Sequence, residues 1–283
     1  MPQVIAHRGA LFAAPENTME AFEEAAKIGC DGFELDVFRL RCGTLVVFHG
    51  DGDDHDPGYL EPYCGVGGNI LDLDYEQVKR LRLIPNNQIF ACPSYMLETS
   101  TIPTLNEVLE FAKIAKMHVK IELKGPGTEL PCLDLVERMG MVDQCSFSSF
   151  FHDRIHAIRI MRPDQNPDGS YVYRTGALYN QPPEDFVQQC LRIGASEVHL
   201  KYDTCTKERV EAIHAAGMDT MAWFRGPMGM IEDATYKYLD VGNEDETMYE
   251  TVMRSGVRSM CINKPQTLLN NLWLIGKQQQ ILL

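Results

Sequence analysis

The sequence predicts an α/β protein folded as a (β/α)8 barrel, and three observations lead there. Short apolar segments alternate with amphipathic helical stretches along most of the 283 residues, the pattern of βα units around a parallel sheet. Eight of those segments read as strands, the number that closes a barrel, with an open doubly wound sheet as the alternative topology. A chain of this length that is 45% hydrophobic can bury one barrel core as a single domain over residues 1–283, although length alone also accommodates two small domains.

The strands are expected at 3–6, 32–38, 118–123, 143–147, 171–178, 196–200, 218–223 and 258–262. The first helix is expected over 17–28, with Asn17 as N-cap, Glu20 as capping-box partner and Gly29 as terminator. Phe22, Ala25, Ala26 and Ile28 give it an apolar stripe that packs on the sheet. Similar stripes run through 105–115 and 207–216. One segment breaks the rhythm: strand two is followed by Cys42-Gly43 and then Thr44-Leu45-Val46-Val47-Phe48-His49, an antiparallel hairpin around a two-residue turn. If Arg41 faces Thr44, the register sets Asp36 opposite His49. Residues 50–101 are rich in Gly, Pro, Asp, Tyr and Asn, with one short helical stretch near 74–82. They read as an inserted loop or lid region after the hairpin.

Composition excludes several classes. Against 26 Lys and Arg stand 40 Asp and Glu, a net charge of −14, so the chain lacks the positive field that holds nucleic acid. An anionic substrate would need local cations, either placed Arg and Lys or a bound metal. Nine cysteines without a CxxC pair suit neither a disulfide framework nor a zinc ribbon, and point to reduced thiols in the cytoplasm. A strand starting almost at Met1 leaves no room for a secretory signal. No apolar run approaches the roughly 20 residues of a transmembrane helix.

Charged residues gather at three expected strand ends: His7-Arg8-Gly9, Glu34 and Asp36 with His49 returned by the hairpin, and Glu122 with Lys124. In a barrel all C-terminal strand ends share one face, where active sites form. Residues i and i+2 of a strand share a side, so Glu34 with Asp36 and Glu122 with Lys124 project together. Three converging carboxylates repel one another unless a hard divalent cation binds them through oxygen, which suits Mg²⁺, Ca²⁺ or Mn²⁺. Histidines beside it suit acid–base chemistry near neutral pH, and Arg8 and Lys124 suit phosphate oxygens.

These motifs, read in order, resemble the fingerprint of the glycerophosphodiester phosphodiesterases. His7-Arg8-Gly9, Pro15-Glu16-Asn17-Thr18, Ala21-Phe22, Gly29, Glu34-Leu35-Asp36-Val37 and Val46-Val47-Phe48-His49 open it. Ile102-Pro103-Thr104-Leu105, Ile121-Glu122-Leu123-Lys124, Ser146-Phe147, Ala216-Gly217 before Ala222-Trp223, and Gly256 to Pro265 continue it. The resemblance implies a TIM barrel, one divalent metal on Glu34, Asp36 and Glu122, a His7/His49 acid–base pair, and Arg8, Lys124 and Trp223 at the substrate. It implies hydrolysis of a glycerophosphocholine-like small molecule to sn-glycerol 3-phosphate and an alcohol through a cyclic phosphate. The chain departs from the family pattern at His49-Gly50-Asp51, at Trp223-Phe224-Arg225-Gly226, and at Leu40 and Cys42 before the turn. Arg225 is a candidate second contact to an anion.

Each signal also has a structural reading. His7 and His49 have hydrogen-bonded core histidines as the alternative, and the carboxylates an ion network with Arg8, Arg39, Lys120 or Lys124. Capping alone accounts for Asn17. Glu16 belongs either to the site rim or to a solvated turn, Trp223 either to the core or to the site lining. Glu197, His199 and Lys201 reach the pocket or form a salt-bridged layer. The run Asp51 to Asp56 lacks EF-hand spacing and reads as a solvated loop rather than a second metal site. Two functions compete with glycerophosphodiester hydrolysis: lysophospholipase D-type action, with Tyr59, Leu60, Tyr63, Ile89, Phe90, Tyr95 and Met96 lining an acyl groove, and a catalytically silent phosphate-ester-binding barrel.

Overall fold

The computed structural model of the chain describes residues 1–50, 57–84, 92, 99–225 and 244–281, with side chains through residue 274. Eight parallel strands close into a barrel: β1 (Gln3–Ala6), β2 (Gly32–Arg39), β4 (His118–Leu123), β5 (Cys145–Ser149), β6 (Arg174–Tyr179), β7 (Glu197–Lys201), β8 (Asp219–Trp223) and β9 (Ser259–Ile262). Closure is made by β1, which pairs with both β2 and β9. Helices α1 (Met19–Ile28), α4 (Leu105–Ala115), α5 (Glu129–Met139), α6 (His152–Met161), α7 (Phe186–Ile193), α8 (Lys207–Ala215), α9 (Glu246–Arg254) and α10 (Pro265–Ile281) run between and after the strands. Beyond the antiparallel strand β3 (Leu45–Val47) lie two one-turn helices, α2 (Glu61–Cys64) and α3 (Tyr75–Val78).

Strand parity divides the core. Odd-numbered residues of β2, Phe33, Leu35 and Val37, face outward and pack with Phe22 and Ala25 of α1 and with Leu105, Val108 and Leu109 of α4. Even-numbered Glu34 and Asp36 point inward and are buried. Inside the barrel, an apolar cluster of Ile5, Leu178, Met221, Trp223 and Cys261 lies above an ionic layer. There Lys120 donates to Glu197 at 2.6 Å, and His199 Nε2 lies 2.9 Å from the same carboxylate oxygen. Of the two readings for Glu197 and His199, the salt-bridged layer holds. Gly176 makes it fit, since a Cβ there would lie 2.4 Å from the His199 ring.

Three local expectations need correction. Helix α1 is capped by Thr18, whose hydroxyl accepts from the Ala21 N–H, and Asn17 precedes it with φ 57°. Adjacent Asn and Thr are both good caps, and the tertiary role of Asn17 described below decides between them. In the hairpin, Val37, Phe38 and Arg39 oppose Val47, Val46 and Leu45, so Asp36 lies across from Phe48 and not from His49. The Phe48 N–H donates to the Asp36 carbonyl at 3.0 Å. The turn is a three-residue loop bracketed by the Leu40 N–H to Thr44 O bond, with Gly43 at φ 90°, the left-handed position such loops require. Finally, the described part of the inserted region holds more than the one helical stretch expected at 74–82. Leu60, Tyr63, Ile70, Val78 and Leu83 form a second core with Phe38, Leu40, Val46 and Phe48 of the hairpin.

Smaller differences concern ends. The strand expected at 171–178 begins at Arg174, and the one expected at 143–147 runs over Cys145–Ser149 behind a single 3₁₀ turn. All nine cysteines are free thiols. No helix among the described residues is long and apolar enough to cross a membrane.

Candidate active site

The C-terminal ends of the strands gather the charged residues into one network, buried except at half-buried Glu122 and Lys124. His7 and Arg8 leave β1, with Arg8 at φ 53° and Gly9 at φ 79°. This turn needs glycine, because a Cβ at Gly9 would stand 2.7 Å from the Ala21 backbone. It aims the Arg8 N–H at Glu34 Oε2, 3.0 Å away. The Arg8 guanidinium donates to Glu16 at 2.9 Å and lies 3.6 Å from Asp36. Lys124, one residue past β4, approaches Asp36 to 3.7 Å. Glu16 is therefore buried in an ion pair rather than placed on a solvated turn.

Glu34, Asp36 and Glu122 each offer a carboxylate oxygen, all within 4.8 Å of one another. Register explains this, since Asp36 and Glu122 are direct neighbours on parallel strands β2 and β4. Burial, with the charges of Asp36 and Glu122 next to it, pushes the Glu34 carboxyl well above its ordinary range. Its Oε1 is buried and accepts no hydrogen bond from any described residue. A carboxylate cluster with that repulsion and an unused buried oxygen fits a hard divalent cation. Asn17 holds the cluster from behind: its amide donates to Asp36 Oδ2 at 2.9 Å, and its carbonyl oxygen accepts from the Asp36 N–H at 3.3 Å. Capping does not explain Asn17.

The two histidines are fixed alike. His7 Nδ1 lies 2.8 Å from Asn263 Oδ1. The Asn263 amide nitrogen donates to the Arg225 carbonyl and to Glu244, which settles the amide orientation, so His7 carries its proton on Nδ1. His49, beyond the last paired residue of β3, has Nδ1 2.6 Å from the Gly50 carbonyl, an acceptor only. Each imidazole thus presents an unprotonated Nε2. Burial and then Arg8 lower His7 to about 3, and burial, Arg8 and Lys124 hold His49 well below its ordinary value. Both are neutral at neutral pH. Tyr63 bridges the insert to the site, with its hydroxyl 3.1 Å from His49 Nδ1 and 3.4 Å from Glu16.

Trp223 ends β8, donates through Nε1 to the Tyr179 carbonyl at 3.3 Å, and packs edge-on to Phe150. It walls the barrel interior beside Cys261. Arg225 is half-buried, and its carbonyl holds Asn263. Of the acyl-groove residues that are described, Leu60 and Tyr63 are buried in the second core and Tyr59 is exposed. Ile89, Phe90, Tyr95, Met96, Gly226 and the run Asp51 to Asp56 lie outside the described residues.

Four functional neighbours escaped sequence reasoning. Asn263 had a signal, standing two positions after the inward-facing Cys261 of β9. Glu244, which accepts from Asn263 and from the Tyr249 hydroxyl, had none. Tyr63 was singled out for an acyl groove rather than for contact with His49 and Glu16, and Asn17 was read as a cap.

Residues 7–244 match the model of the glycerophosphoryl diester phosphodiesterase family. The glycerophosphodiester phosphodiesterase of Caldanaerobacter subterraneus subsp. tengcongensis is 28% identical over 273 residues, covering 94% of this chain and 96% of that protein. The enzyme of the same name from Bacillus altitudinis is 31% identical over 223 residues, covering 76% and 82%. Among solved structures, an Oleispira antarctica phosphodiesterase in complex with the product sn-glycerol-3-phosphate superposes with a TM-score of 0.75 at 22% identity, covering 96% of this chain and 97% of that one. A glycerophosphodiester phosphodiesterase from Agrobacterium tumefaciens superposes with a TM-score of 0.70 at 20% identity, covering 94% and 98%. At these identities the two structures speak for the fold alone.

Proposed function

Because the chain belongs to the glycerophosphoryl diester phosphodiesterase family, we propose that it is a phosphoric diester hydrolase that cleaves glycerophosphodiesters to sn-glycerol 3-phosphate and an alcohol, with His7 and His49 as its acid–base pair. The observation that carries this reading is the convergence, at the barrel mouth, of two neutral imidazoles with bare Nε2 atoms, two cationic side chains and a carboxylate triad of buried Glu34 and Asp36 with half-buried Glu122.

Arg8 and Lys124 hold the non-bridging phosphate oxygens. One histidine takes the proton of the hydroxyl neighbouring the phosphate, which attacks phosphorus, while the other protonates the leaving alcohol. The cyclic phosphate is then opened by water with the two roles exchanged. The histidine acting as acid must first gain a proton, and the entering phosphodiester anion favours this by offsetting the repulsion from Arg8 and Lys124. Glu34, Asp36 and Glu122 would hold one divalent cation, Mg²⁺ or Ca²⁺, with Mn²⁺ also suited to the oxygen set. When bound, that ion supplies charge stabilisation at the phosphoryl oxygens. Trp223 and Glu16 shape the wall and rim. Nine free thiols suit a reducing, cytoplasmic setting.

The test is sn-glycerol 3-phosphate release from glycerophosphocholine by the purified chain, with Mg²⁺, Ca²⁺ or Mn²⁺ supplied in turn and EDTA as control. Release that requires a cation supports the reading. No release with any cation, alongside choline release from lysophosphatidylcholine, would move the assignment to the lysophospholipid reaction.

A further inference from the structure

Beside the oxygen triad lies a second, chemically different group of ligand atoms. One each from His7, Glu34 and Cys261 stand within 4.8 Å of one another, and all three residues are buried. The fold brings them together because β1 pairs with β9, setting Ile5 opposite Cys261, and β1 runs on directly into His7. We propose that these residues form a cation site for a thiophilic divalent metal, Zn²⁺ foremost, which shares Glu34 with the carboxylate site and is inhibitory to the reaction proposed above.

The donor set decides the metal. Imidazole nitrogen, thiolate sulfur and one carboxylate oxygen are the ligands of zinc, with a fourth position left for water, whereas Mg²⁺ and Ca²⁺ take oxygen alone. His7 is oriented as a zinc ligand is. Its Nδ1–H is anchored on Asn263, which Glu244 holds in turn, leaving Nε2 3.8 Å from Glu34 Oε2. Such outer-shell support is the habit of metal-bound histidine. Glu34 Oε1, buried and without a hydrogen-bond donor among the described residues, leaves the carboxylate that the two ligand groups share with an oxygen free for a metal. Ile5, Met221 and Trp223 form the apolar wall behind Cys261. Zinc entering the site displaces the thiol proton to solvent and occupies His7 Nε2, the atom the acid–base chemistry needs. Glu34 belongs to both ligand sets, so the two cations also compete for it.

The experiment titrates the full chain with Co²⁺ in buffer free of other divalent cations and follows the thiolate-to-cobalt charge-transfer absorption, then displaces Co²⁺ with Zn²⁺. Cys261→Ser and Cys261→Ala are run in parallel, each compared with its own Mg²⁺-supported activity. The expected result is a saturable band in the wild-type chain that both variants lose. Zn²⁺ binding should weaken in them by more than the roughly 10- to 100-fold that outer-shell changes cause, and inhibition by Zn²⁺ should be relieved. No band in the wild-type chain, or a band and a Zn²⁺ affinity unchanged in both variants, would overturn the site. Zn²⁺ that binds without slowing hydrolysis would overturn its inhibitory role. The inhibition rests on the diesterase reading, but the band reports binding whether or not the chain turns over any substrate, so the two fail separately.

Discussion

Asn263 orients the His7 imidazole through a single acceptor oxygen, and its own amide is held by the Arg225 carbonyl and Glu244. Removing the side chain frees the ring to rotate and to exchange tautomers without touching the substrate. Asn263→Ala should therefore lower kcat by about tenfold or more, a part of the 10²–10⁴ that acid–base catalysis supplies, with KM little changed. Steady-state kinetics under saturating cation separate the two, and a loss confined to KM would count against an orienting role. At this scale the sequence was legible where parity alone decides. Glu34 and Asp36 share a face because they are two residues apart on β2, and Lys124, one residue past β4, keeps the side of Glu122. It was not legible for Glu244 and Tyr63, whose contacts with the site depend on how distant segments pack.

The start of α1 and the β2–β3 hairpin show where local rules end. Asn17 and Thr18 both carry cap chemistry, and only the approach of β2 reveals that Asn17 holds Asp36 while Thr18 caps. Thr18→Ala should lower stability by about 1 kcal/mol and leave the cation requirement unchanged. Asn17→Ala should raise the cation concentration for half-maximal activity by roughly 10- to 100-fold, as loss of outer-shell support does. Thermal unfolding and a metal titration read the two, and a Thr18 variant that shifted the titration would undo the distinction. In the hairpin, Cys42-Gly43 fits a two-residue turn as well as a three-residue loop with Gly43 at φ 90°, so the register came out one residue off. His49 still reaches the site because it lies past the ladder, where its bond to the Gly50 carbonyl, rather than strand pairing, sets its direction.

Across the whole molecule the barrel interior is stratified, with the ionic layer of Lys120, Arg174, Glu197 and His199 beneath the apolar cluster and the site above. Burial alone would raise Glu197, yet Lys120, His199 and Arg174 more than reverse this and hold it well below 4.5. A carboxyl depressed in the folded state stabilises the fold above its unfolded value and loses that contribution as pH falls below about 4.5 through the folded value. Lys120→Met leaves Glu197 buried without its closest cation and should destabilise the chain by about 3–5 kcal/mol near neutral pH, with the difference from wild type shrinking in acid. Denaturant unfolding at several pH values checks this, and a difference that grew in acid would contradict it. The barrel itself was legible because eight alternating segments leave few closed topologies. Which residues fill its interior layers was not, since Glu197 and His199 fit a pocket or a salt bridge equally until Gly176 is seen making room for the His199 ring.

The central claim, that His7 and His49 act as one acid–base pair in a single site, is tested most directly by kcat for His7→Ala, His49→Ala and the double variant on glycerophosphocholine under saturating cation. Each single variant should lose about 10²–10⁴-fold, and the double variant little more, because residues acting as a unit are not additive. Losses that multiply in the double variant, or a single variant near wild-type activity, would contradict the account.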